Sequence, residues 1–141
     1  MGVTAAIPSS SDVSSQAASG LAERHCDVLI IGSGAGGLSA AVTAAHLGLD
    51  VVLAEKNDQL GGTTAWSGGW MWIPRNPLAL EAGIQEDPSE PRRYLQHELG
   101  DRFDAARVEA FLQAGPRMVE FFRRHTALQF IPGHVIPDFH G

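Results

Sequence analysis

The sequence predicts an α/β fold built on one strand–helix–strand unit whose two strands run parallel. Asp27–Val28–Leu29–Ile30–Ile31 and Val51–Val52–Leu53–Ala54 are short, unbroken apolar runs rich in branched side chains. Continuous rather than alternating hydrophobicity is the pattern of strands covered on both faces, as in a parallel sheet. Between them, Leu38–Leu47 has helical periodicity, with Leu38, Ala41, Val42 and Ala45 on one face and Ser39, Thr43 and His46 on the other. The three stretches together span roughly 30 residues, the size of a right-handed βαβ unit.

The junctions carry chemistry. The first strand runs into IIGSGAGGLSAA, where Gly32, Gly34 and Gly37 make the spacing G-x-G-x-x-G. The first glycine permits a tight turn out of the strand. The second lets a pyrophosphate approach bare main chain, and the third lets the helix lie close to the sheet. The helix N-terminus offers free N–H groups and a partial positive charge to the phosphates. Gly48 is placed to end the helix. Glu55 closes the second strand, eighteen residues after Gly37. A carboxylate there can accept hydrogen bonds from both ribose hydroxyls of an adenosine, and it would repel a 2′-phosphate. A preceding strand, a following helix and an acid at the next strand's tip turn a common glycine spacing into the prediction of a Rossmann-like dinucleotide site. Only one such unit is present, so the domain reads as incomplete.

Composition narrows the function classes. The chain has 141 residues, 44% apolar, enough for a packed core, with a formal net charge of -6. Without a basic run, binding to nucleic acid by charge is not expected. The single cysteine, Cys26, forbids an internal disulfide and fits a reducing, cytoplasmic setting. No apolar stretch is long enough to span a bilayer. Residues 1–25 are rich in Ser and Ala and lack the basic end and apolar centre of a secretory signal, so they are expected to be a disordered leader to a folded part at 26–141.

Downstream, Gly61–Gly69 reads as a loop, followed by Trp70–Ile73 and turns at Pro74 and Pro77. Asp87 or Ser89 can cap a helix through Tyr94 to Leu99, and Asp104 can cap another with Val108, Phe111 and Leu112 inward. Gly115–Pro116 is expected to interrupt that helix, because the residue before proline avoids helical backbone. A further helix then carries Met118, Val119, Phe121 and Phe122, and Leu128–Ile131 reads as a strand.

The loop GGTTAWSGG discriminates between cofactors. Gly61, Gly62, Gly68 and Gly69 with the hydroxyls of Thr63, Thr64 and Ser67 can lie flat against a large planar ligand, their N–H and O–H groups reaching phosphates and a ring edge. A simple nicotinamide dehydrogenase would run into another helix here. Trp66, Trp70 and Trp72 argue for ordered packing. DVLIIGSGAGGLSAA, VVLAEK and GGTTAWSGGWMWIP together resemble the flavoproteins grouped with fumarate reductase and the succinate dehydrogenase flavoprotein subunit. Trp72–Ile73–Pro74–Arg75–Asn76, RRYLQHELGD and AFLQAGPRMVEFFRRHT are similar to the 3-ketosteroid dehydrogenase branch.

The resemblance, from about Cys26 onward, implies FAD as cofactor. Gly32, Gly34 and Gly37 would hold its pyrophosphate and Glu55 its adenosine ribose, while Thr63, Thr64, Ser67, Gly68 and Gly69 would line the phosphate and isoalloxazine, with an N–H near Ser67–Gly69 on flavin N5. Ser33, Ala35, Gly36, Lys56, Gly61 and Gly62 complete the expected cofactor-binding set. The implied activity moves hydride between flavin N5 and an activated C–C bond of a small, steroid-like substrate. The implied partner is the remainder of the same enzyme, a substrate domain and a C-terminal FAD-binding part. No catalytic residue is identified: Pro137–Asp138–Phe139–His140 carries phenylalanine where that branch has tyrosine, and Tyr94 reads as packing. His46 and His97 read as surface residues and His134 and His140 as loop residues, with no metal-ligand set among them. Cys26 precedes the first strand and has no pair of basic neighbours that suggests a reactive thiolate. Glu120 and Arg124 are spaced as an i,i+4 ion pair. A nicotinamide-dependent reductase and a non-catalytic remnant are the competing readings.

Overall fold

The computed structural model describes residues 23–133, which form two compact units divided between Trp70 and Met71. Most of the expected leader, together with His134, His140 and the Pro137–Phe139 stretch, lies outside the described residues.

The first unit contains β1 (Val28–Ile31), α1 (Ala35–His46), β2 (Val51–Ala54) and a single helical turn, α2 (Gly62–Ala65). The strands are parallel, with Val28 opposite Val51 and Ile31 opposite Ala54. Their entry is fastened by the Asp27 carboxylate, which accepts from the Asp50 N–H at 2.8 Å. The Gly32 N–H donates to the Ala54 carbonyl at 2.8 Å, so the ladder runs one residue past β1 and brings the glycine turn beside the end of β2.

α1 starts at Ala35, three residues before the periodicity suggests. Glycines carry no hydrophobic signal, yet Gly37 is what allows this start: a Cβ there would sit 1.9 Å from the Gly32 carbonyl oxygen. The same close approach turns the small-residue side of α1 toward the sheet. Gly37, Leu38, Ala41 and Ala44 are half-buried, whereas Val42 and Ala45, expected inside, are exposed. The helix ends as anticipated, with Gly48 at φ +85° and its N–H on the Ala45 carbonyl. In β1 the pattern alternates: Val28 and Ile30 are half-buried, but Leu29 and Ile31 are 60% and 76% exposed. The expected cover on both faces is therefore absent among the described residues.

The second unit contains α3 (Pro77–Glu81), α4 (Glu90–Leu99), a 3-10 turn (Gly100–Arg102) and α5 (Ala105–His125). The unforeseen α3 has a legible start: Asn76 Oδ1 accepts from the Ala79 N–H at 3.1 Å, and Pro77 takes the first position, where no N–H is needed. At the start of α4, Asp87 Oδ1 accepts from both the N–H and hydroxyl of Ser89, and the Asp87 carbonyl takes the Glu90 N–H. Asp104 caps α5 as expected, accepting from the amides of Ala106 and Arg107 at 3.0 and 3.1 Å.

α5 is one helix of 21 residues, running through Gly115–Pro116 where a break is expected. Gly115 has no Cβ to strike the following ring, which removes part of the clash that normally bars helical backbone before proline. Packing compensates the hydrogen bond that Pro116 cannot donate: Gly115 is buried, and a Cβ on it would meet Ile73 Cγ2 at 3.0 Å. Val108, Val119 and Phe122 form the buried apolar core of this unit. Trp72 stacks on Phe111 with centroids 6.1 Å apart and meets Tyr94 edge-on at 5.4 Å. Trp72 is held by these ring contacts although it is 48% exposed, whereas Trp66 and Trp70 are 89% and 68% exposed. Glu120 pairs with Arg124 as its spacing implies, and Arg123 bridges to both carboxylate oxygens of Glu81 on α3 at 2.8 Å. Leu128–Ile131 is irregular rather than a strand. Thr126 Oγ1 donates to the Phe122 carbonyl and accepts the Leu128 N–H, turning the chain out of α5 with no strand to pair it among the described residues.

Candidate functional site

The ends of β1 and β2 and the α2 turn enclose a cleft of about 970 Å³ in the first unit. Gly32, Ser33 and Gly34 form one wall, Glu55 to Leu60 a second, and Gly62, Thr63, Ala65 and Trp66 a third.

Ser33 organises it. The residue is fully buried. Its N–H and its hydroxyl both donate to Glu55 Oε2, at 2.9 and 2.6 Å, while its Oγ accepts the Gly61 N–H at 2.9 Å. One serine thus ties the first glycine turn to the tip of β2 and to the second glycine pair. Glu55 Oε1 accepts the Asn57 N–H at 3.0 Å. The Ser33 hydroxyl, then the Asn57 and Ser33 amides, stabilise the charged carboxylate and hold its pKa down at about 2.

Thr64 Oγ1 accepts the Ala35 N–H at 3.1 Å, bringing α2 against the start of α1. Gly62 lies in that approach, where a Cβ would meet the Gly34 backbone at 3.4 Å, and Gly61, at φ +117°, has no room for a Cβ, which would sit 2.6 Å from the Ala65 Cβ. The N-terminus of α1 has no side-chain cap from Gly34 and no acid in its first turn. Its partial positive charge is left facing the glycine wall.

The cleft brings together seven of the expected cofactor residues: Gly32, Ser33, Gly34, Glu55, Lys56, Gly62 and Thr63. Ala35, Gly36 and Gly37 form the first turn of α1, and Gly61 and Thr64 are held through Ser33 and Ala35. Ser67, Gly68 and Gly69 lie outside the cleft walls. Ser67 Oγ donates to the Thr64 carbonyl and accepts the Gly69 N–H, closing a turn of its own. The stretch expected as a flat loop instead contains the helical turn α2. Sequence reasoning misses Asn57 to Leu60 as a wall; the short link between Glu55 and the Gly61–Gly62 pair is the available signal. A second cleft, about 380 Å³ among Pro74, Arg75, Pro91, Arg92 and Pro116, carries none of the expected residues. His46 and His97 are exposed, and no cluster of metal-ligating side chains occurs among the described residues.

Main chain at Gly32–Gly34 and an ionised acid line one cleft beside the start of α1, the kind of surface on which a pyrophosphate and a ribose can be held. Consistent with this, residues 27–138 match the family of the FAD binding domain, and the chain belongs to that family of FAD-dependent oxidoreductases. The chain is 43% identical over 110 residues to 3-oxosteroid 1-dehydrogenase of Mycolicibacterium smegmatis, covering 77% of this chain and 19% of that protein. It is 42% identical over 114 residues to 4-oxocyclohex-2-ene-1-carboxylate 5-dehydrogenase of Sinomonas cyclohexanicum, covering 81% of this chain and 19% of that protein. The crystal structure of 3-ketosteroid Δ1-dehydrogenase from Sterolibacterium denitrificans in complex with 1,4-androstadiene-3,17-dione superposes with a TM-score of 0.63 at 39% identity, over 70% of this chain and 17% of that one. The chain therefore spans about a fifth of the length of these relatives.

Proposed function

We propose that this chain forms the adenosine diphosphate-binding face of an FAD-dependent dehydrogenase acting on a C–C bond activated by a ring ketone. The observation that carries the reading is the convergence of Gly32–Gly34 main chain and the Glu55 carboxylate on one cleft, beside the start of α1. Gly32 and Gly34 would hold the pyrophosphate against main chain, and Glu55 would hold the adenosine ribose. Lys56 lines the same cleft and adds a positive charge to it. Bound FAD supplies a two-electron acceptor; the residues of this chain bind it, orient it and keep Glu55 ionised.

The ring-ketone class rests on the relatives. Their names share an oxo group on a six-membered ring, fused in the steroids and single in the cyclohexane carboxylates. A steroid is one member of that class.

The cofactor geometry is tested by competition. FAD binding to the chain, read by quenching of flavin fluorescence, is expected to be reversed by ADP and not by FMN, which lacks the adenosine. FMN competing as well as FAD would refute the assigned cleft, and preference for NAD⁺ would favour a nicotinamide enzyme. The 141 residues alone are not expected to turn over substrate, so the substrate class is tested by dye-linked dehydrogenation in flavin-loaded protein that contains this chain together with the implied substrate domain and C-terminal FAD-binding part. Turnover of a 3-oxosteroid or of 4-oxocyclohexanecarboxylate by that protein supports it; turnover of neither overturns it.

A further inference from the structure

The second cleft, about 380 Å³, lies wholly within the second unit and shares no residue with the first cleft. Its volume is that of a small-molecule site. Pro74, Pro88, Pro91, Pro116 and Leu112 give it apolar walls. Proline rings have no N–H to satisfy and little freedom to lose, so such walls need no ordering when a ligand arrives. Arg75 and Arg92 line the same cleft. Arg92 lies over the Phe103 ring at 5.2 Å and donates to Gln96 Oε1 at 3.4 Å, which holds it in place and leaves most of its five N–H donors unused. Arg75 makes no hydrogen bond, ion pair or ring contact among the described residues. Glu109 is the one acid on the walls, and its Oε1 accepts from Gln113 Nε2 at 2.8 Å. Two guanidinium groups against one carboxylate leave the cleft with one positive charge in excess, on a chain whose net charge is -6.

Arg75 is also an unfavourable choice for its backbone. Pro74 and Arg75 form the centre of a turn, which Asn76 Nδ2 fastens by donating to the Ile73 carbonyl at 2.8 Å. Arg75 takes φ +56° there. Glycine or asparagine adopts this left-handed backbone at least cost, and a long side chain resists it. The turn needs a positive φ; it does not need a guanidinium. We propose that the cleft is a binding site for a small monocarboxylate with an apolar ring, its carboxylate on Arg75 and Arg92 and its ring against the prolines. One carboxylate matches the one excess charge, and the planar guanidinium fork matches its two oxygens. Rigid apolar walls suit a ring, which loses little internal freedom on binding.

The test titrates cyclohexanecarboxylate, cyclohexanecarboxamide and acetate into the dilute 141-residue chain and follows them by ligand-observed NMR. Cyclohexanecarboxylate is expected to bind about tenfold more tightly than either of the others. The amide keeps the ring without the charge, and acetate keeps the charge without the ring. Equal affinity for the amide or for acetate, or no binding of cyclohexanecarboxylate, overturns the proposal, and none of these results needs a variant. Arg75→Asn removes the guanidinium and leaves a residue suited to the turn. Its thermal midpoint is expected to hold or rise while cyclohexanecarboxylate binding weakens about tenfold, the scale of one hydrogen bond to a charged group. Unchanged affinity would put the ligand on other residues and overturn the site. A lowered midpoint would show that Arg75 serves the fold and overturn its assignment to a ligand. The result is separate from the dinucleotide reading, because the two clefts have no residue in common.

Discussion

Glu55 carries a pH dependence whose sign follows from its partners. Hydrogen bonds from Ser33 and Asn57 lower its pKa from 4.5 to about 2, so the folded chain binds that proton less readily than the unfolded one. The stabilisation is fully present above pH 4.5 and is lost as pH falls toward about 2. Urea unfolding through this window is expected to show a steeper acid loss in the wild type than in Glu55→Gln, and parallel curves would contradict the ion's role. Gly37 makes a second prediction. A methyl group at this position would face the Gly32 carbonyl, which is main chain and cannot swing away. Gly37→Ala is expected to lower stability by about 1–3 kcal/mol, read by thermal denaturation; an unchanged midpoint would mean the helix can shift freely. Both positions are legible in the sequence, because a glycine spacing and an acid at a strand tip are local signals. The Ser33–Gly61 bond is not legible there. It joins residues 28 apart, and nothing in either stretch names the other.

The secondary structure shows the same division. β1, β2, α4 and the start of α5 follow from apolar runs and caps that lie within a few residues of one another. The differences occur where a distant contact overrides a local rule. Gly115–Pro116 reads as a break, yet α5 continues because Gly115 packs against Ile73. Leu128–Ile131 has strand composition but no strand to pair with among the described residues. Gly61–Gly69 reads as loop because glycine and threonine are poor helix formers, and its helical turn depends on the left-handed Gly61 and on Thr64 reaching Ala35. The Asp104 cap, legible from local sequence, gives the cleanest test. Asp104 Oδ1 meets two otherwise unpartnered amides, so Asp104→Ala is expected to destabilise α5 by about 1 kcal/mol. An equal loss in Asp104→Asn, which keeps an accepting oxygen, would show that charge rather than capping is responsible.

Surface chemistry makes the last prediction. Among the described residues the first unit pairs two strands and leaves Leu29, Ile31, Trp66 and Trp70 between 60% and 89% exposed. Parallel strands are ordinarily covered on both faces, and open edges and wet apolar side chains favour association. Opposing this is the net charge of -6, which repels at long range. At physiological ionic strength the screening length is about 8 Å, so charge loses influence at the distances where apolar groups meet. Burial gains about 25 cal/mol per Å² of apolar surface and hardly depends on salt at that level. Association should therefore win at ordinary salt and weaken at low salt. Sedimentation velocity is expected to show mass increasing with protein concentration and with added sodium chloride, and Leu29→Lys, which places a charge on the exposed side of β1, should reduce it without unfolding the chain. A monomer at every concentration and salt level would mean that the bare face of β1 is tolerated by water, and the argument from incomplete cover would fail.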